Sequence, residues 1–554
     1  MMHAEPERNS TVLTREQTLG LFLGGPDKWN ELVDQYDEIH FDFSNVEWKN
    51  YKTLLQNLNG QRQLSNELVS FKGYRFKAGV LDFSGARFEL LSFDISDSNL
   101  GNTSLRLNDI QLYGAIINLS NLKVGVGTIC LKGAQLGMSG CKTDLLASNL
   151  FINEGNLICS DAFLYHGDVN FTGLKMSKGS VDFSGSVFGD GDFSLTKARV
   201  IGDDFSFISC RFGKGAKYFS QCVFQVLSIS FSGTNFGLGI VSFDGCNFSK
   251  VRDWVHFVGV KTNGYSFNFM FVQFSEIEVD FSDSVFDNKN ISFDCLNFAN
   301  GNFLFESCEF HGRVSFSDYE ENASTARQLS FRKSIFNSTL DISGVNTTGI
   351  IDLRETKLAT HTTLDNLGFT LARWRSVKFL PGLLQAASKE DASKLRRLKE
   401  IAETNKNHTA ALRFHSAEMR ARRWHDMPVL SSILDGLFSM ISNYGQSILR
   451  PFIAWLILVA GCGSIYSGVL QTNPLAQSLS DVLFQAKFAD GFLYSLVQTL
   501  PVFPISRSLQ QDLYTSLSVD LSPTILSSLT ILQNLLGVIF IFLIGLGLRN
   551  RFRL

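Results

Sequence analysis

The sequence predicts an all-β, right-handed β-solenoid followed by a helical membrane domain. Apolar residues recur every twelve positions through the first two-thirds of the chain, and two long uncharged stretches, 451–470 and 524–548, lie near the C-terminus. A third observation is the phenylalanine content. The chain has 50 Phe among 554 residues against only 9 Pro, and so many large aromatic side chains require extensive burial.

Charge and cysteine content exclude several classes of protein. Fifty Lys and Arg against 53 Asp and Glu give −3, which does not fit a strongly basic nucleic-acid binder. With 19% charged and 44% hydrophobic residues, global disorder is excluded. The nine Cys form no CxxC pair, so neither zinc nor a disulfide framework is expected. The first ten residues lack the apolar region of a secretory signal.

The charge is distributed unevenly along the chain. Residues 371–554 hold 19 Lys and Arg against 11 Asp and Glu, a charge of +8, which leaves −11 on residues 1–370. An acidic, Phe-rich front is therefore joined to a basic, apolar back.

The repeat unit is a pair of large apolar residues five positions apart. Phe231/Phe236 is followed twelve positions later by Phe243/Phe248, and the same phase runs from residue 71 to residue 310 in 20 units. An apolar residue usually stands two positions before the first member, and a small residue two before the second. This alternation is typical of a strand with one buried face, and the Gly, Asp, Ser and Asn between the pair are typical of turns. The unit predicts two short strands around a corner.

A twelve-residue unit cannot bury its own apolar side, so its copies must stack. Two units per coil predict ten coils of about 24 residues and a rod about 50 Å long, at a strand spacing of about 4.8 Å. The Cys residues at the small inward positions are expected to fill the core. The single GDGD at Gly189–Asp192 resembles a fragment of a calcium-binding repeat, but a plain turn is expected there. Four phenylalanines are predicted to point inward in register: Phe231, Phe243, Phe281 and Phe293.

The blocks LDFSGARF, VDFSGSVF and LKGAQL resemble pentapeptide-repeat proteins, whose motif is a small residue, a polar residue, Leu or Phe, and two variable residues. The resemblance covers about residues 15–360 and implies a four-sided β-helix with Leu or Phe and the small residue inside. The family steps by five, whereas the steps here alternate between five and seven, which leaves a strictly square cross-section open. The segment Leu19–Trp48 is similar to the helical cap that precedes many such repeats, with Trp29-Asn30 as the matching pair. We therefore assign residues 1–40 to a helical cap and 41–360 to the solenoid.

The repeat ends before Pro381-Gly382, and a basic helical hairpin is predicted over residues 383–426, with helices at 386–403 and 409–424. This hairpin is expected to cap the solenoid, and its basic face to be attracted to anionic lipid. His408 and His415 do not have the HExxH spacing and are not expected to bind zinc. Residues 427–450 are predicted to lie along the membrane interface, because residues 429–449 are apolar with Asp435 as their single charge.

Two spans are predicted in a membrane domain over residues 451–554. Residues 451–470 and 524–548 are uncharged, and each is long enough to cross a hydrocarbon core of about 30 Å. Arg450 precedes the first span and the RNRFRL tail follows the second, while the connection 471–523 has only two cations against four Asp. The positive-inside rule then predicts a multi-pass protein of the inner (cytoplasmic) membrane, with the solenoid and both termini in the cytoplasm.

The connection contains an apolar, re-entrant-like segment over residues 488–505, which ends in Pro501 and Pro504. A span, a short apolar helix ended by Thr-x-Pro and a second span form the layout of two-span tetrameric ion channels. In the potassium members of that class the filter TVGYG follows the pore helix. TLPVF, beginning at Thr499, stands in its place here, so potassium selectivity is not implied.

Four residues are candidates for a pore: Thr499, Pro501, Gln533 and Asn534. Gln533 and Asn534 lie in the second span, where an unpaired amide is costly, so they either line a pore or join helices by hydrogen bonds. The alternative for residues 488–505 is a segment in the outer interface, held by Phe484, Phe492 and Tyr494 as an aromatic belt.

The architecture as a whole resembles a recurring class of bacterial membrane proteins. Its members combine pentapeptide repeats, a helical pair similar to LRRLKEIAE…FHSAEMRARR and two spans with an Arg-rich end, and they are sometimes labelled channel-like. The resemblance implies a membrane protein with an oligomeric, channel-like domain.

We expect no enzyme activity, because no P-loop, GxSxG, HExxH or GxGxxG motif stands in a credible context. No catalytic, cofactor-binding or metal-binding residue and no cofactor are therefore predicted. The favoured function is a cytoplasmic solenoid that acts as a protein-interaction or sensor module on an oligomeric channel-like domain. The alternatives are a non-conducting membrane-anchored scaffold and, third, an acidic DNA mimic that binds topoisomerases, which the two spans disfavour. The expected partners are the lipid bilayer, further copies of the chain and a protein on the solenoid, without nucleic acid.

Overall fold

The computed structural model describes residues 9–65, 67–138, 141–317, 324–359, 362–371, 373–375, 384–467, 486–499, 512–513 and 523–552. They divide into two compact units. The first is Met1–Leu371 with Glu400–Asn407, and the second is Ala372–Lys399 with His408–Leu554.

The first unit is a parallel β-solenoid of about 15 turns, which confirms the predicted fold class. A central coil has one short strand on each of four sides, for example Leu157–Ile158, Phe163–Leu164, Val169–Asn170 and Lys175–Met176. Each strand pairs in parallel with the strand on the same side of the next coil, as Leu157 does with Val181. The coils are therefore four-sided at this point, as the resemblance implied.

The strands stack into one sheet on each side. The first side has thirteen: Ser10–Val12, Glu38–Asp42, Ala78–Asp82, Asn102–Arg106, Ile129–Cys130, Leu157–Ile158, Val181–Asp182, Asp204–Ser206, Ser228–Ser230, Trp254–His256, Glu278–Asp280, Asn302–Leu304 and Gln328–Ser330. The second side has six: Arg87–Glu89, Gln111–Tyr113, Gln135–Leu136, Phe163–Leu164, Val187–Phe188 and Arg211–Phe212.

The strands of the third side belong to a sheet of sixteen. The later strands of the second side belong to the same sheet, because the long strands Lys261–Asn268 and Val285–Ser292 continue across the corner between the two sides. Its other strands are Leu68–Ser70, Ser92–Asp94, Ile116–Asn118, Asp144–Leu146, Val169–Asn170, Phe193–Ser194, Lys217–Tyr218, Val241–Ser242, Glu309–Phe310, Arg313–Ser315, Ile335–Phe336, Leu340–Asp341, Lys357–Leu358 and Thr362–Thr363. The fourth side has five: Lys123–Val126, Phe151–Glu154, Lys175–Met176, Arg199–Ile201 and Val223–Gln225. A three-stranded sheet follows near the end of the unit: Thr325–Ala326, Asn346–Thr347 and Gly368–Phe369.

The predicted corners are β-turns. In one of them the Ala86 N–H donates to the Phe83 carbonyl at 2.9 Å, and Gly85 between them has a φ of +70°. A positive φ at the third residue is what a type II turn requires. Asp109 and Asn121 occupy the same place in later coils with φ of +54° and +57°. This backbone position favours Gly, Asp and Asn and contributes to their abundance in the repeat, although Lys197, Ser209 and Gln221 also adopt it.

Stacked phenylalanine rings fill the core. Phe257 stacks on Phe231 at 4.7 Å between ring centroids, and Phe281 stacks on Phe257 at the same distance, with interplanar angles of 2° and 6°. This spacing equals that of parallel strands, because each ring belongs to the next coil. The four phenylalanines predicted to point inward are each 1% exposed, which confirms their register: Phe231, Phe243, Phe281 and Phe293.

The small inward residues do more than fill space. The Cys246 thiol donates to the Phe219 carbonyl at 2.8 Å, and the Ser284 hydroxyl to the Phe257 carbonyl at 2.9 Å. Each bond reaches a corner carbonyl of the preceding coil, and the same bond recurs at Cys210, Cys222, Thr234 and Cys308. Burial raises the pKa of the Cys308 thiol to about 12 and the pKa of Cys246 well above its ordinary value. These thiols are therefore protonated hydrogen-bond donors of the core.

Gly189–Asp192 is a corner of the solenoid. A Cβ on Gly191 would lie 1.7 Å from the Gly167 carbonyl oxygen of the previous coil, so no larger residue fits. The Asp190 and Asp192 carboxylates accept the N–H groups of Lys214 and Ala216 at 3.3 and 2.7 Å. This GDGD segment therefore links neighbouring coils.

Two details of the repeat differ from the prediction. The turns number about 15 rather than ten, because the solenoid extends beyond the predicted units at 71–310, from strand Ser10–Val12 to strand Gly368–Phe369. Between residues 131 and 159 the leading corner residue is Ala147 and not Leu145. The Leu150 N–H donates to the Ala147 carbonyl, and Leu145 pairs instead with Ile117 and Val169 on the third side. The leading position was misassigned to Leu145 because the residue that occupies it, Ala147, is small.

The predicted N-terminal helices are present as α1 (Arg15–Leu23) and α2 (Pro26–Gln35), and a 3-10 turn (Trp48–Tyr51) precedes α3 (Lys52–Gln61). Trp29 is fully buried and its indole N–H donates to the Arg75 carbonyl at 3.0 Å. The Asn30 amide bonds the Gly73 carbonyl and the Arg75 N–H. The Trp-Asn pair thus attaches α2 to the first full coils.

The remaining helices are α4 (Asp391–Thr404), α5 (His408–Arg422), α6 (Val429–Ser442), α7 (Leu449–Tyr466), α8 (Ala486–Gln498) and α9 (Pro523–Arg551). An antiparallel pair of strands, Arg373–Arg375 and Leu384–Ala386, replaces the start predicted for α4 at residue 386. The turn after α4 belongs to the first unit, where the Asn405 and Asn407 amides donate to Thr362 and Asp365. The two helices α7 and α9 are long and apolar enough to cross a membrane.

Candidate functional site

The short helix α8 packs closely against both long apolar helices. A Cβ on Gly491 of α8 would lie 2.6 Å from the Gly463 carbonyl oxygen of α7. At the other end of α8, a Cβ on Gly537 of α9 would lie 2.9 Å from the Cβ of Thr499. Small residues that let backbones approach are the usual means by which helices associate in lipid. We call α7, α8 and α9 the three-helix unit.

A buried hydrogen-bond network crosses this unit at Gln533. The Tyr466 hydroxyl of α7 donates to Gln533 Oε1 at 2.7 Å, and Gln533 Nε2 donates to the Ser495 carbonyl and hydroxyl of α8 at 2.8 and 2.6 Å. The Ser495 hydroxyl in turn donates to the Val459 carbonyl at 2.7 Å. Gln533 is 1% exposed and Ser495 fully buried. Gln533 could line a pore or join helices, and its hydrogen bonds within one chain are of the second kind.

The other pore candidates lie around the C-terminal end of α8. Thr499 is fully buried, and its hydroxyl donates to the Leu496 carbonyl at 2.8 Å. Gln498 is 3% exposed, and within the described part of the chain its Nε2 has no hydrogen-bond partner. Asn534 is half-buried, and its Oδ1 also has no partner there. Pro501 lies outside the described residues. Ser495, Gln498 and Thr499 thus lie within about one turn at the C-terminal end of α8, and among the described residues Gln498 Nε2 and Asn534 Oδ1 have bonding capacity left.

Aromatic residues hold α8 against α7. The rings of Tyr466 and Tyr494 meet edge to face at 5.0 Å, and with Cys462 they form a buried cluster. Tyr494 is only 5% exposed, so its ring lies between helices and not on an outer surface. Phe492 is half-buried, and Phe484 lies outside the described residues.

A second polar centre joins α5 and α6 to the turn before α7. Arg423 Nε and Nη2 lie 2.9 and 2.8 Å from Asp435 Oδ2, and the Tyr444 hydroxyl donates to the same oxygen at 2.8 Å. The Arg423 and Asp435 side chains are 6% and 8% exposed. Burial raises the pKa of Tyr444 to about 12, and its hydrogen bond to the Asp435 carboxylate acts in the same direction.

The same turn bonds the end of the second long helix. The Asn550 amide of α9 donates to the Gly445 carbonyl at 3.0 Å, and the Gln446 amide donates to the Leu412 carbonyl of α5 at 2.7 Å. The turn at residues 443–446 therefore connects α5, α6, α7 and α9. Sequence reasoning missed this centre, although the lone Asp435 in an apolar stretch was a signal for it.

The outward face of α6 is apolar. It exposes between 43% and 70% of Val429, Leu430, Ile433, Leu434, Leu437 and Met440. Its one charge, Asp435, points away from that face and into the Arg423 pair.

Two further features lie on the solenoid. His256, Glu278 and Asp280 bring one ligand atom each within 4.8 Å of one another. No sequence motif marks this group, because its members lie one coil apart and not within one segment. A shallow cavity of about 490 Å³ at a corner is lined by Lys142, His166, Asp168 and Asp190. Lys142 already pairs with Asp168 at 3.1 Å and Asp190 with Lys214 at 3.4 Å, so these charges are largely satisfied.

No protein-family model, curated protein or solved structure matches this chain. The architecture itself is that of a repeat protein, a parallel β-solenoid with two helices able to span a membrane.

Proposed function

We propose that this chain is a membrane-anchored pentapeptide-repeat protein in which α7, α8 and α9 form one subunit of an oligomeric, channel-like domain. The solenoid acts as a cytoplasmic interaction or sensor module on that domain. The observation that carries the proposal is the position of α8, whose C-terminal end brings Ser495, Gln498 and Thr499 into the interior of the three-helix unit.

The position of α8 favours a conduit over a simple anchor. A short turn would suffice to join two anchoring helices, and burying a polar cluster among apolar helices has a cost that calls for a function. Gln498 Nε2 and Asn534 Oδ1 retain bonding capacity at this level among the described residues. Two spans enclose no channel, so the proposal requires several copies around an axis, with Thr499 near the narrowest point.

The corner geometry supports the pentapeptide-repeat part of the proposal. Four-sided coils with a positive φ shortly after the leading apolar residue fit a repeat in which Leu or Phe and a small residue point inward.

Orientation follows from the arginines. Arg450 at the start of α7 and Arg549 and Arg551 at the end of α9 support a cytoplasmic position for both helix ends under the positive-inside rule. Cysteine substitution tests this in intact cells. A membrane-impermeant reagent should label Ser478→Cys and Ser518→Cys but not Ser209→Cys, which is exposed on the solenoid.

A non-conducting membrane-anchored scaffold is the second candidate. It is favoured by Gln533, because both ends of this amide are already bonded within one chain.

Particle symmetry tests the proposal against this alternative. The full chain is purified in detergent and imaged as single particles. We expect three or more copies related by rotational symmetry, with α7–α9 of each copy arranged around the axis. A monodisperse monomer would support the non-conducting scaffold instead.

A further inference from the structure

We propose that His256, Glu278 and Asp280 on the thirteen-stranded side of the solenoid bind one divalent transition-metal ion, Zn²⁺ in the first instance. His256 and Asp280 are direct neighbours on adjacent parallel strands, and Glu278 lies opposite Trp254. The three ligand atoms lie within 4.8 Å of one another. The stacking of successive coils is what brings them together.

The histidine nitrogen that faces this group lacks a hydrogen-bond partner. His256 Nε2 is shielded from solvent and has no bond to any described residue. Its nearest acidic atom, Glu278 Oε1, is 3.6 Å away, which is too long for a hydrogen bond. A shielded polar atom without a partner costs free energy, and a metal ion between the imidazole and the carboxylates supplies the missing partner.

The imidazole is held in place on one face by an aromatic ring. The Trp254 and His256 rings stack at 4.1 Å between centroids with 19° between their planes. Asp280 is fixed as well, because its Oδ1 accepts the Ser282 N–H at 2.8 Å, which leaves Oδ2 for a metal. Such supporting contacts are typical of metal ligands.

The ligand set selects the class of metal. One imidazole nitrogen and two carboxylates suit Zn²⁺ and its neighbours better than Ca²⁺ or Mg²⁺, which take oxygen ligands alone. Ligands of tetrahedral Zn²⁺ at about 2.0 Å lie about 3.3 Å apart, so the group must contract on binding. Glu278 can turn inward because half of its side chain is exposed. Water completes the coordination.

The solenoid offers a matched control in His311. Its Nε2 lies 3.2 Å from Glu309 Oε1, but these two residues belong to no three-ligand group among the described residues. A chain that binds Zn²⁺ through any exposed His–Glu pair would use both positions.

The experiment is a calorimetric titration of the untagged full chain in detergent with ZnCl₂, after blocking accessible thiols with N-ethylmaleimide. We expect one site, at least tenfold weaker in His256→Asn and in Glu278→Gln and unchanged in His311→Asn. Co²⁺ should give visible absorption bands in the wild type that are lost in His256→Asn. Circular dichroism checks that each of the three variants folds. Absence of saturable Zn²⁺ binding, or equal binding by all the variants, would overturn the proposal.

Discussion

Gly491 of α8 lies against Gly463 of α7 so closely that a Cβ on Gly491 would approach the Gly463 carbonyl oxygen to 2.6 Å. Helix α8 is therefore an integral part of the three-helix unit and not a peripheral loop. The close approach also brings Ser495 within reach of Val459 and Gln533.

Substituting this glycine should separate the helices. Gly491→Ala places a methyl group against the backbone of α7 and is expected to lower the free energy of unfolding by about 1–3 kcal/mol. Gly461→Ala on the partner helix α7 is the control, because a Cβ there meets nothing within 4 Å. That variant should be neutral or stabilising by up to about 1 kcal/mol. Thermal unfolding in detergent measures both, and equal midpoints would contradict the contact between α7 and α8.

Removing one ring from the solenoid core should be costly. Phe281 is 1% exposed and stacks between Phe257 and Phe305, so Phe281→Ala is expected to lose about 3–5 kcal/mol. Phe271 is 57% exposed, and Phe271→Ala should change stability by no more than about 0.5 kcal/mol. Denaturant unfolding followed by circular dichroism compares them. A loss at Phe281 as small as that at Phe271 would refute the register of the repeat.

Lys217 gives the solenoid a pH dependence. It occupies an inward position between Phe193 and Val241, is 1% exposed, and donates to the Gly213 and Leu238 carbonyls. Burial lowers its pKa to about 8, against the opposing influence of Asp192 and Asp190. The unfolded chain, with an ordinary lysine pKa of about 10.4, therefore binds more protons than the folded chain between these two values. Stability should rise with pH over that range, by up to about 3 kcal/mol.

Chemical unfolding at pH 7.5, 9 and 10.5 tests this for Lys217. The wild type should gain stability relative to Lys217→Met as the pH rises, and Lys214→Met, which changes an exposed lysine, should follow the wild type. A constant difference between wild type and Lys217→Met would contradict the buried lysine.

The Arg423–Asp435 pair should be sensitive to loss of one partner. Asp435→Asn leaves a buried guanidinium without its counter-charge and is expected to cost about 3–5 kcal/mol. Asp426→Asn removes an exposed partner, 4.0 Å from Lys389, and should have no measurable effect. Thermal unfolding of the full chain is the measurement. If Asp435→Asn unfolds at the wild-type temperature, the pair does not hold α6 to α5.

Much of the fold was predictable because it is repetitive. Phe281 and most of its equivalents recur at a constant spacing, and the turns that follow them favour Gly, Asp and Asn at the position with a positive φ. The prediction was wrong at Ala147, because a small side chain at the leading position does not stand out in the pattern of large apolar residues. Repeat units outside residues 71–310 were not predicted, although Phe43 and Phe331 are buried in them.

The candidate site was less accessible to sequence reasoning. Gln533 was identified as a costly amide, but its partners Tyr466 and Ser495 are distant in the chain and no period relates them to it. Arg423 lies in a basic segment before α6, twelve residues from Asp435, and only their packing reveals that the single charge of α6 is buried. His256 and Asp280 are neighbours only because they lie one coil apart, so their proximity could not be predicted without the strand register.

The most direct test of the proposed function is the current carried by the full chain reconstituted in a planar bilayer. We predict single-channel conductance that changes in Thr499→Val, which removes the hydroxyl at the end of α8, and that is retained in Gly461→Ala. A folded, reconstituted protein that passes no current in K⁺ or Na⁺ salts at any applied voltage would contradict the conduit.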